Sequence, residues 1–303
     1  MSFVCSNIKM INYLILKDNY NSFEQYYLTN LGEIVESSYY YNSSTIFRKI
    51  FSHYGIAGEH FFYGEWKKNL KKYNCIIVFD SIHTSKLLRY IHKNSNARVI
   101  YWHWNPVRTE REKKIINSTK SFCEHWTFNP IDAERFGMKL NSQFFFYQTD
   151  IPKKKNNAAF FVGADKGRYN QLLSLAVSLE KHGVKPHFHI IDQKKTGRFF
   201  QKDYVEYDEV INHLRNTKYA VEICQEGQTG LTARALEAMF FGTKLITNNK
   251  FIKNCEFYKN ANIYIIGEDN DFEKFLSTPF EQIEREKLYP YSAEGWIDRF
   301  MRG

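Results

Sequence analysis

Arg234 and Glu237 lie three residues apart in the stretch GQTGLTARALEAMFFGTKLITNN (227–249), a spacing that sets both on one face of a helix. The helix is otherwise apolar: Leu231, Ala235, Ala238, Met239 and Gly242 follow the i, i+4, i+7 rule of a core-facing stripe. GQTG reads as a tight turn after a strand, and Thr229 or Thr232 can cap a helix that begins near Leu231. The open amides of such a helix start attract an anion. An arginine beside them strengthens that attraction, and a carboxylate can accept two hydroxyl hydrogen bonds, as from a ribose. The alternative is an intrahelical ion pair, worth about 0.3–0.5 kcal/mol on a surface. Because turn, cap and pair converge on one spot, the binding reading is preferred.

A second constellation is FFVGADKGRYNQLL (160–173), a strand, a turn holding Gly163 and Gly167, then a helix. Lys166 and Arg168 place two cations at that helix start, which suits a diphosphate; the plainer reading is a glycine-containing turn with two solvated bases. Asp80 follows the apolar run CIIVF with His83 three residues on. That makes the two a candidate base at a strand end, or Asp80 the N-cap of the helix SIHTSKLLRYI. His103, between Trp102 and Trp104, reads as a core histidine. His187 and His189 share one strand face with no third ligand in view, which favours structural roles. Asp269 and Asp271 in EDND form a DxD, which helix capping explains as well as a metal does; no metal site is expected. EWKKNLKKYN (65–74) spaces Trp66, Leu70 and Tyr73 along one helical face flanked by lysines. Such a helix either lies on anionic lipid or packs its stripe onto a sheet.

These residues need a frame, and the chain supplies one. Runs at 10–16, 32–40, 75–79, 98–104, 125–128 and 142–146 read as strands, separated by helical segments such as SSTIFRKIFSHYG, SKLLRYIHKN and IDAERFGM. They are apolar without strict alternation, as expected of parallel strands buried on both faces. TDIPKKKNNAA (149–159) breaks the pattern and reads as a linker. The alternation then restarts, with strands expected at 158–163, 186–192, 218–224, 243–247 and 262–267, and with Gly183 and Gly242 where helix ends want glycine. The expected architecture is therefore two doubly wound α/β domains, 1–151 and 152–303, facing a ligand-binding cleft at their carboxyl edges.

Composition narrows the function classes. Of 303 residues, 43% are hydrophobic and 25% charged, ordinary for a globular protein. The net charge of +9 is uneven, with 19 Lys/Arg against 13 Asp/Glu in 1–151 and 23 against 20 in 152–303. A basic first half can meet an anionic bilayer, a phosphorylated small molecule or nucleic acid. Nucleic acid ranks last, since no recognition module is present. Five cysteines without metal-ligand spacing suit free thiols in a reducing compartment. The start of the chain lacks a signal-peptide pattern, and no run reaches the about 20 apolar residues that span a bilayer. The expectation is a cytoplasmic protein, with peripheral membrane contact through the basic first half.

GQTGLTARALEAMFFGTKLITNN resembles the donor-site segment of bacterial glycosyltransferases of the GT-B architecture that assemble lipopolysaccharide or capsule. GADKGR (163–168) is similar to their first loop in the C-terminal domain, and WTFNPIDAERFGMKLN (126–141) to a stretch late in the N-terminal one. The likeness is strongest over 158–267. It implies two Rossmann-like domains, the second binding a nucleoside-diphosphate sugar and the first selecting a saccharide or lipid-linked saccharide acceptor. Gly163, Lys166 and Arg168 would then meet the diphosphate. Thr229, Gly230, Leu231 and Thr232 would offer donors, Arg234 would support the phosphates, and Glu237 would hold the ribose. Glu226 and Gln228 would approach the sugar, although neither Glu226, eleven residues before Glu237, nor Gln228, nine before it, keeps the spacing commonest in that family. Asp80, with His83, would be the base if the reaction inverts. No cofactor is implied, and the last segment (about 291–303) would cross back to brace the first domain. The rivals are a nucleotide-sugar epimerase of the same architecture and a non-catalytic nucleotide- or sugar-binding protein.

Overall fold

The computed structural model describes residues 12–18, 21–42, 58–81, 84–191, 200–201, 203–225 and 230–302. The chain divides into two compact units, 1–140 and 141–303.

In the first unit the strands are β1 (Tyr13–Lys17), β2 (Glu36–Tyr39), β3 (Cys75–Phe79), β4 (Arg98–His103), β5 (Glu124–Thr127) and β6 (Lys139–Leu140). They form one sheet in the order β2-β1-β3-β4-β5-β6, every pair parallel. The all-apolar run Cys75–Phe79 has no exposed residue, as a central parallel strand covered on both faces requires. Among the connecting helices are α1 (Ser22–Gly32), α2 (Thr84–Asn94), α3 (Glu110–Thr119) and α4 (Pro130–Phe136). Asn21 caps α1, and Thr109 with Glu112 makes a capping box for α3. The helix expected over SSTIFRKIFSHYG lies outside the described residues. EWKKNLKK (65–72) is a 3-10 helix broken at Asn69. Trp66, Leu70 and Tyr73 are buried with Leu14, Ile76 and Val78. Lys67 is held by the carbonyls of His60 and Phe61, and Lys68 and Lys72 pair with Glu65 and Glu36. The apolar stripe is thus consumed in the core, which is the sheet-packing alternative and leaves that face nothing to offer a lipid surface.

The second unit repeats the plan with β7 (Asn156–Ala164), β8 (Lys185–Ile191), β9 (Phe200–Gln201), β10 (Thr217–Glu222), β11 (Lys244–Thr247) and β12 (Ile263–Ile265). Its sheet runs β12-β11-β10-β7-β8-β9, again wholly parallel. The chain builds outward from β7 to β9, then returns to the other side of β7 for β10 to β12, so the direction of winding reverses between β7 and β10. In the first sheet the same reversal falls between β1 and β3. Helices α5 (Tyr169–Lys181), α6 (Tyr207–Asn216), α7 (Ala233–Phe240), α8 (Phe272–Ser277), α9 (Arg285–Leu288) and α10 (Ala293–Arg302) complete the unit. Gly183 and Gly242 take the left-handed conformation just past α5 and α7, with φ of 71° and 59°, which relieves the Cβ clash any other L residue would meet there.

The division at Leu140/Asn141 falls eleven residues before the expected boundary at 151/152, and its cause is visible. The run SQFFF (142–146) makes no sheet strand; Phe145 forms only an isolated bridge to Ser292. Phe144 stacks on Trp296 with ring centroids 4.3 Å apart, and Asn141 Nδ2 donates to the Trp296 carbonyl. Arg299 donates to Asn141 Oδ1 at 2.7 Å. The contacts described for α10 hold it to residues 141–146 inside the second unit. Among the described residues no helix is long and apolar enough to cross a membrane.

A buried polar chain fixes one flank of the first unit. Thr119 Oγ1 donates to the Ile115 carbonyl, so it can only accept from His125 Nε2; His125 Nδ1 then accepts from His103 Nε2 at 3.0 Å. Burial holds His103 and His125 neutral, with pKa values pushed down to about 3 and about 4. Both therefore take up protons only on unfolding, and stability must fall as pH drops below the ordinary histidine value. Between pH 7 and pH 5 each histidine should remove about 2 kcal/mol of unfolding free energy. Denaturant unfolding across that range checks this, and His125→Gln should flatten the slope; an unchanged slope would refute the assignment.

Candidate functional site

At the reversal between β7 and β10, the segments that follow the two strands leave for opposite faces of the sheet, which opens a crevice at the carboxyl edge. β7 ends at Gly163–Ala164 and runs into Asp165, Lys166 and Gly167. Lys166 and Gly167 both have positive φ, 45° and 84°, and Asp165 Oδ1 accepts the Tyr169 amide that opens α5. Arg168 reaches back across the strand ends. Its guanidinium donates to the carbonyls of Ala164 and Asp165 on one side and to that of Ile223, just after β10, at 2.5 Å on the other. Gly163 leaves room for it, since a Cβ there would sit 3.2 Å from Arg168 Nη2. Lys166 is exposed at the turn.

On the far side of the crevice stands α7. Thr232 caps it, accepting from the Ala235 amide, and donates its hydroxyl to Glu222 at the end of β10. Thr247, at the end of β11, donates to the other oxygen of the same carboxylate. Burial raises the Glu222 pKa, and the two threonine hydroxyls oppose the rise. Asn249 donates to the Gly230 carbonyl, holding the turn before α7 against the segment after β11. Leu231 is buried beneath it.

Arg234 and Glu237 form the expected pair, and they are inside the protein: their side chains are 17% and 2% exposed. Glu237 Oε1 accepts the Tyr207 hydroxyl from the start of α6. Arg234 Nη1 and Glu237 Oε2 approach to 2.7 Å, yet out of line for a hydrogen bond, and neither atom has a hydrogen-bond partner among the described residues. Arg234 also lies over the Phe160 ring, 5.8 Å from its centroid.

The first sheet carries its own crevice at the β1–β3 reversal, a cavity of about 500 Å³ lined by Lys17, Glu24, Asp80, Tyr101, Trp104 and Arg111 among others. Lys17 is buried, with its ammonium 4.7 Å from the Phe79 ring centroid and 5.1 Å from that of Trp104. Burial lowers the Lys17 pKa, opposed by Glu24, Asp80 and Asp18. Asp80 Oδ2 accepts the Asn105 amide at 3.2 Å, so its carboxylate serves the loop after β4. Burial lifts its pKa to about 6, with Lys17 pulling the other way. Burial raises Glu24 as well.

The structure thus gathers Gly163, Lys166, Arg168, Gly230, Leu231, Thr232, Arg234 and Glu237 at the carboxyl edge of one sheet, and Asp80 at that of the other. Glu226, Gln228, Thr229 and His83 lie outside the described residues. Asp269 accepts the Ile265 amide and Asp271 caps α8 through the Lys274 amide, so the DxD is spent on backbone. Sequence reasoning missed Glu222 and Tyr207. The signal for Glu222 was a lone carboxylate ending the apolar strand KYAVE; Tyr207 gave none.

No family model matches the chain, and no curated protein does. Solved structures do match. The UDP-forming α,α-trehalose-phosphate synthase of Burkholderia xenovorans superposes at TM-score 0.55 and 11% identity, over 97% of this chain and 98% of its own. HepE of Anabaena, in complex with UDP, gives 0.54 and 10%, over 96% and 100%. A TarM mutant of S. aureus gives 0.48 and 16%, over 78% of this chain and 57% of its own length. The fold is that of the GT-B glycosyltransferases, with two parallel-sheet α/β units.

Arg168 bridges the ends of β7 and β10 through carbonyls at both strand ends. Arg168→Met, which keeps the stem and deletes the donors, should leave buried carbonyls unpaired and cost about 2–4 kcal/mol. Chemical denaturation measures this; a loss under about 0.5 kcal/mol would show that the bridge is dispensable.

Proposed function

We infer that this protein is a glycosyltransferase that moves a sugar from a nucleoside-diphosphate donor to a saccharide acceptor, in the assembly of bacterial surface polysaccharide. The carrying observation is the buried Arg234–Glu237 couple, whose inward atoms lack hydrogen-bond partners at the open edge of a parallel sheet. A buried ion pair is tolerated when its remaining donors and lone pairs are satisfied. A ribose diol would supply hydroxyls to Glu237 Oε2, and a diphosphate would accept from Arg234 and from the turn at Lys166 and Gly167. The fold supports the same reading, since it is shared with enzymes described as UDP-forming or bound to UDP. Uridine diphosphate is accordingly the first nucleotide to test. The lipopolysaccharide or capsule setting rests on the sequence resemblance.

Asp80 would serve as base, taking the proton of the acceptor hydroxyl in an inverting reaction. A carboxylate with a pKa near 6 is basic enough to assist at neutral pH while remaining ionised. The reading needs no resident metal, because Arg234 and the amides at the two helix starts answer the diphosphate charge.

UDP at about 100 times its Kd should stabilise the protein by about 2.7 kcal/mol in a thermal or chemical unfolding assay. Glu237→Gln, which preserves shape, should erase that gain without unfolding the chain; a full response in the variant would overturn the ribose assignment. Incubation with UDP-sugars then separates transfer or hydrolysis from epimerised donor and from binding alone.

Asp80→Asn should lower kcat by about 10²–10⁴ while leaving the UDP response intact. In the unmodified enzyme the rate should fall as pH drops through about 6, where Asp80 gains its proton. An activity that stays level from pH 7 to pH 5 would exclude Asp80.

A further inference from the structure

The opposite, amino edge of the second sheet holds a larger cavity, about 650 Å³, at the far end of α7 from the Arg234–Glu237 couple. Its wall contains Lys153, Lys155, Lys218, Lys244 and Arg285, and no aspartate or glutamate. Two of these cations have partial answers. Lys155 donates to the Phe241 carbonyl at the end of α7, at 2.7 Å, and Lys244 to the carbonyls of Phe275 and Thr278 around the end of α8. Each helix end offers only about half a negative charge. Burial lowers the pKa of both lysines to about 8, and Lys218 pushes Lys244 further in the same direction. Lys153, Lys218 and Arg285 are exposed and pair with no described carboxylate. Arg285 instead lies over Tyr147, 4.3 Å from the ring centroid.

Two acids that adjoin lining residues in the chain are already engaged. Asp150 pairs with Arg215, and Glu284 with Lys259 and Lys287. The cavity wall carries five cations and no carboxylate. Beneath the cations the lining is apolar, including Met239, Phe240, Phe280, Ile283 and Leu288. Like charges held together over an apolar floor destabilise the fold unless an anion joins them, and inorganic phosphate would leave that floor exposed.

We propose that this cavity binds a phosphate monoester that carries an apolar group, the phosphate between Lys218, Lys244 and Arg285 and the apolar part against Phe240 and Ile283. The site lies on the opposite edge of the sheet from the proposed donor site and does not depend on it. The same chemistry is found in a lipid phosphate and in a soluble phosphorylated metabolite.

Octyl phosphate, below its micelle concentration, is the probe. Calorimetry on the full chain should show one saturable site, with inorganic phosphate at least about 100-fold weaker and octanol without effect. Lys218→Glu and Arg285→Glu, both surface changes, should each weaken octyl phosphate about tenfold or more while leaving the UDP response unchanged. Competition by phosphatidic acid vesicles would assign the natural ligand to a lipid, and failure to compete would assign it to a soluble ester. No saturable octyl phosphate binding, or equal binding by Lys218→Glu, overturns the proposal.

Discussion

Where two neighbouring parallel strands send their chains to opposite faces of a sheet, the carbonyls at their ends have no loop above them, and something must answer those dipoles. Two polar arrangements at the carboxyl edges follow from this constraint. At the β7–β10 reversal the Arg168 guanidinium answers it by donating to Ala164 and Asp165 on one side and Ile223 on the other. At the β1–β3 reversal the Tyr40 hydroxyl donates to the Phe79 carbonyl, and Ser81 donates to Asp18. Strand ends braced this way keep a crevice open instead of collapsing into it. Open crevices at such reversals are where α/β sheets hold ligands.

Glu222 and Glu237 show how different two buried carboxylates on adjoining elements can be. Glu222 takes a threonine hydroxyl on each oxygen, from the cap of α7 and from the end of β11. It is complete, and it acts as a clasp for three segments. Glu237 takes one hydroxyl, from Tyr207, and its second oxygen faces Arg234 without hydrogen-bond alignment. Taking an ion out of water costs several kcal/mol, and a partner offsets this only when the remaining lone pairs are also met. The fold thus completes one carboxylate with two hydroxyls and leaves its neighbour with one oxygen unbonded.

Much of the frame was legible in the sequence. Runs such as CIIVF and KLIT announce central parallel strands because both faces must be apolar, and Gly183 and Gly242 mark helix ends because the left-handed turn there excludes a Cβ. SQFFF misleads for a related reason. Its phenylalanines are just as buried, but against Trp296 and the 289–293 turn, and hydropathy does not say which partner covers a side chain. EWKKNLKK shows the same ambiguity, since an amphipathic stripe looks alike whether it meets lipid or its own core. At the site, sequence proximity correctly placed Arg234 beside Glu237. It could not show that Arg168 spends its donors on carbonyls, because Ile223 lies 55 residues further along the chain. Tyr207 was invisible for the same reason, meeting Glu237 across 30 residues.

The first unit carries a sequence regularity whose meaning emerges only from register. YLILKD and CIIVFD are both apolar runs that end in aspartate, and β1 and β3 pair with Leu16 opposite Val78. Two further steps along each strand set Asp18 beside Asp80 at the edge of the sheet. Adjacent carboxylates would repel, and the surroundings treat them unequally. Asp18 receives the Ser81 hydroxyl at 2.9 Å, whereas Asp80 relies on the loop at Trp104 and Asn105 and on the nearby Lys17 charge. Lys17 is itself depressed by burial among Phe79 and Trp104, so it steadies Asp80 without cancelling the effect of desolvation. The balance lifts the Asp80 pKa to about 6, on the wall of the cavity.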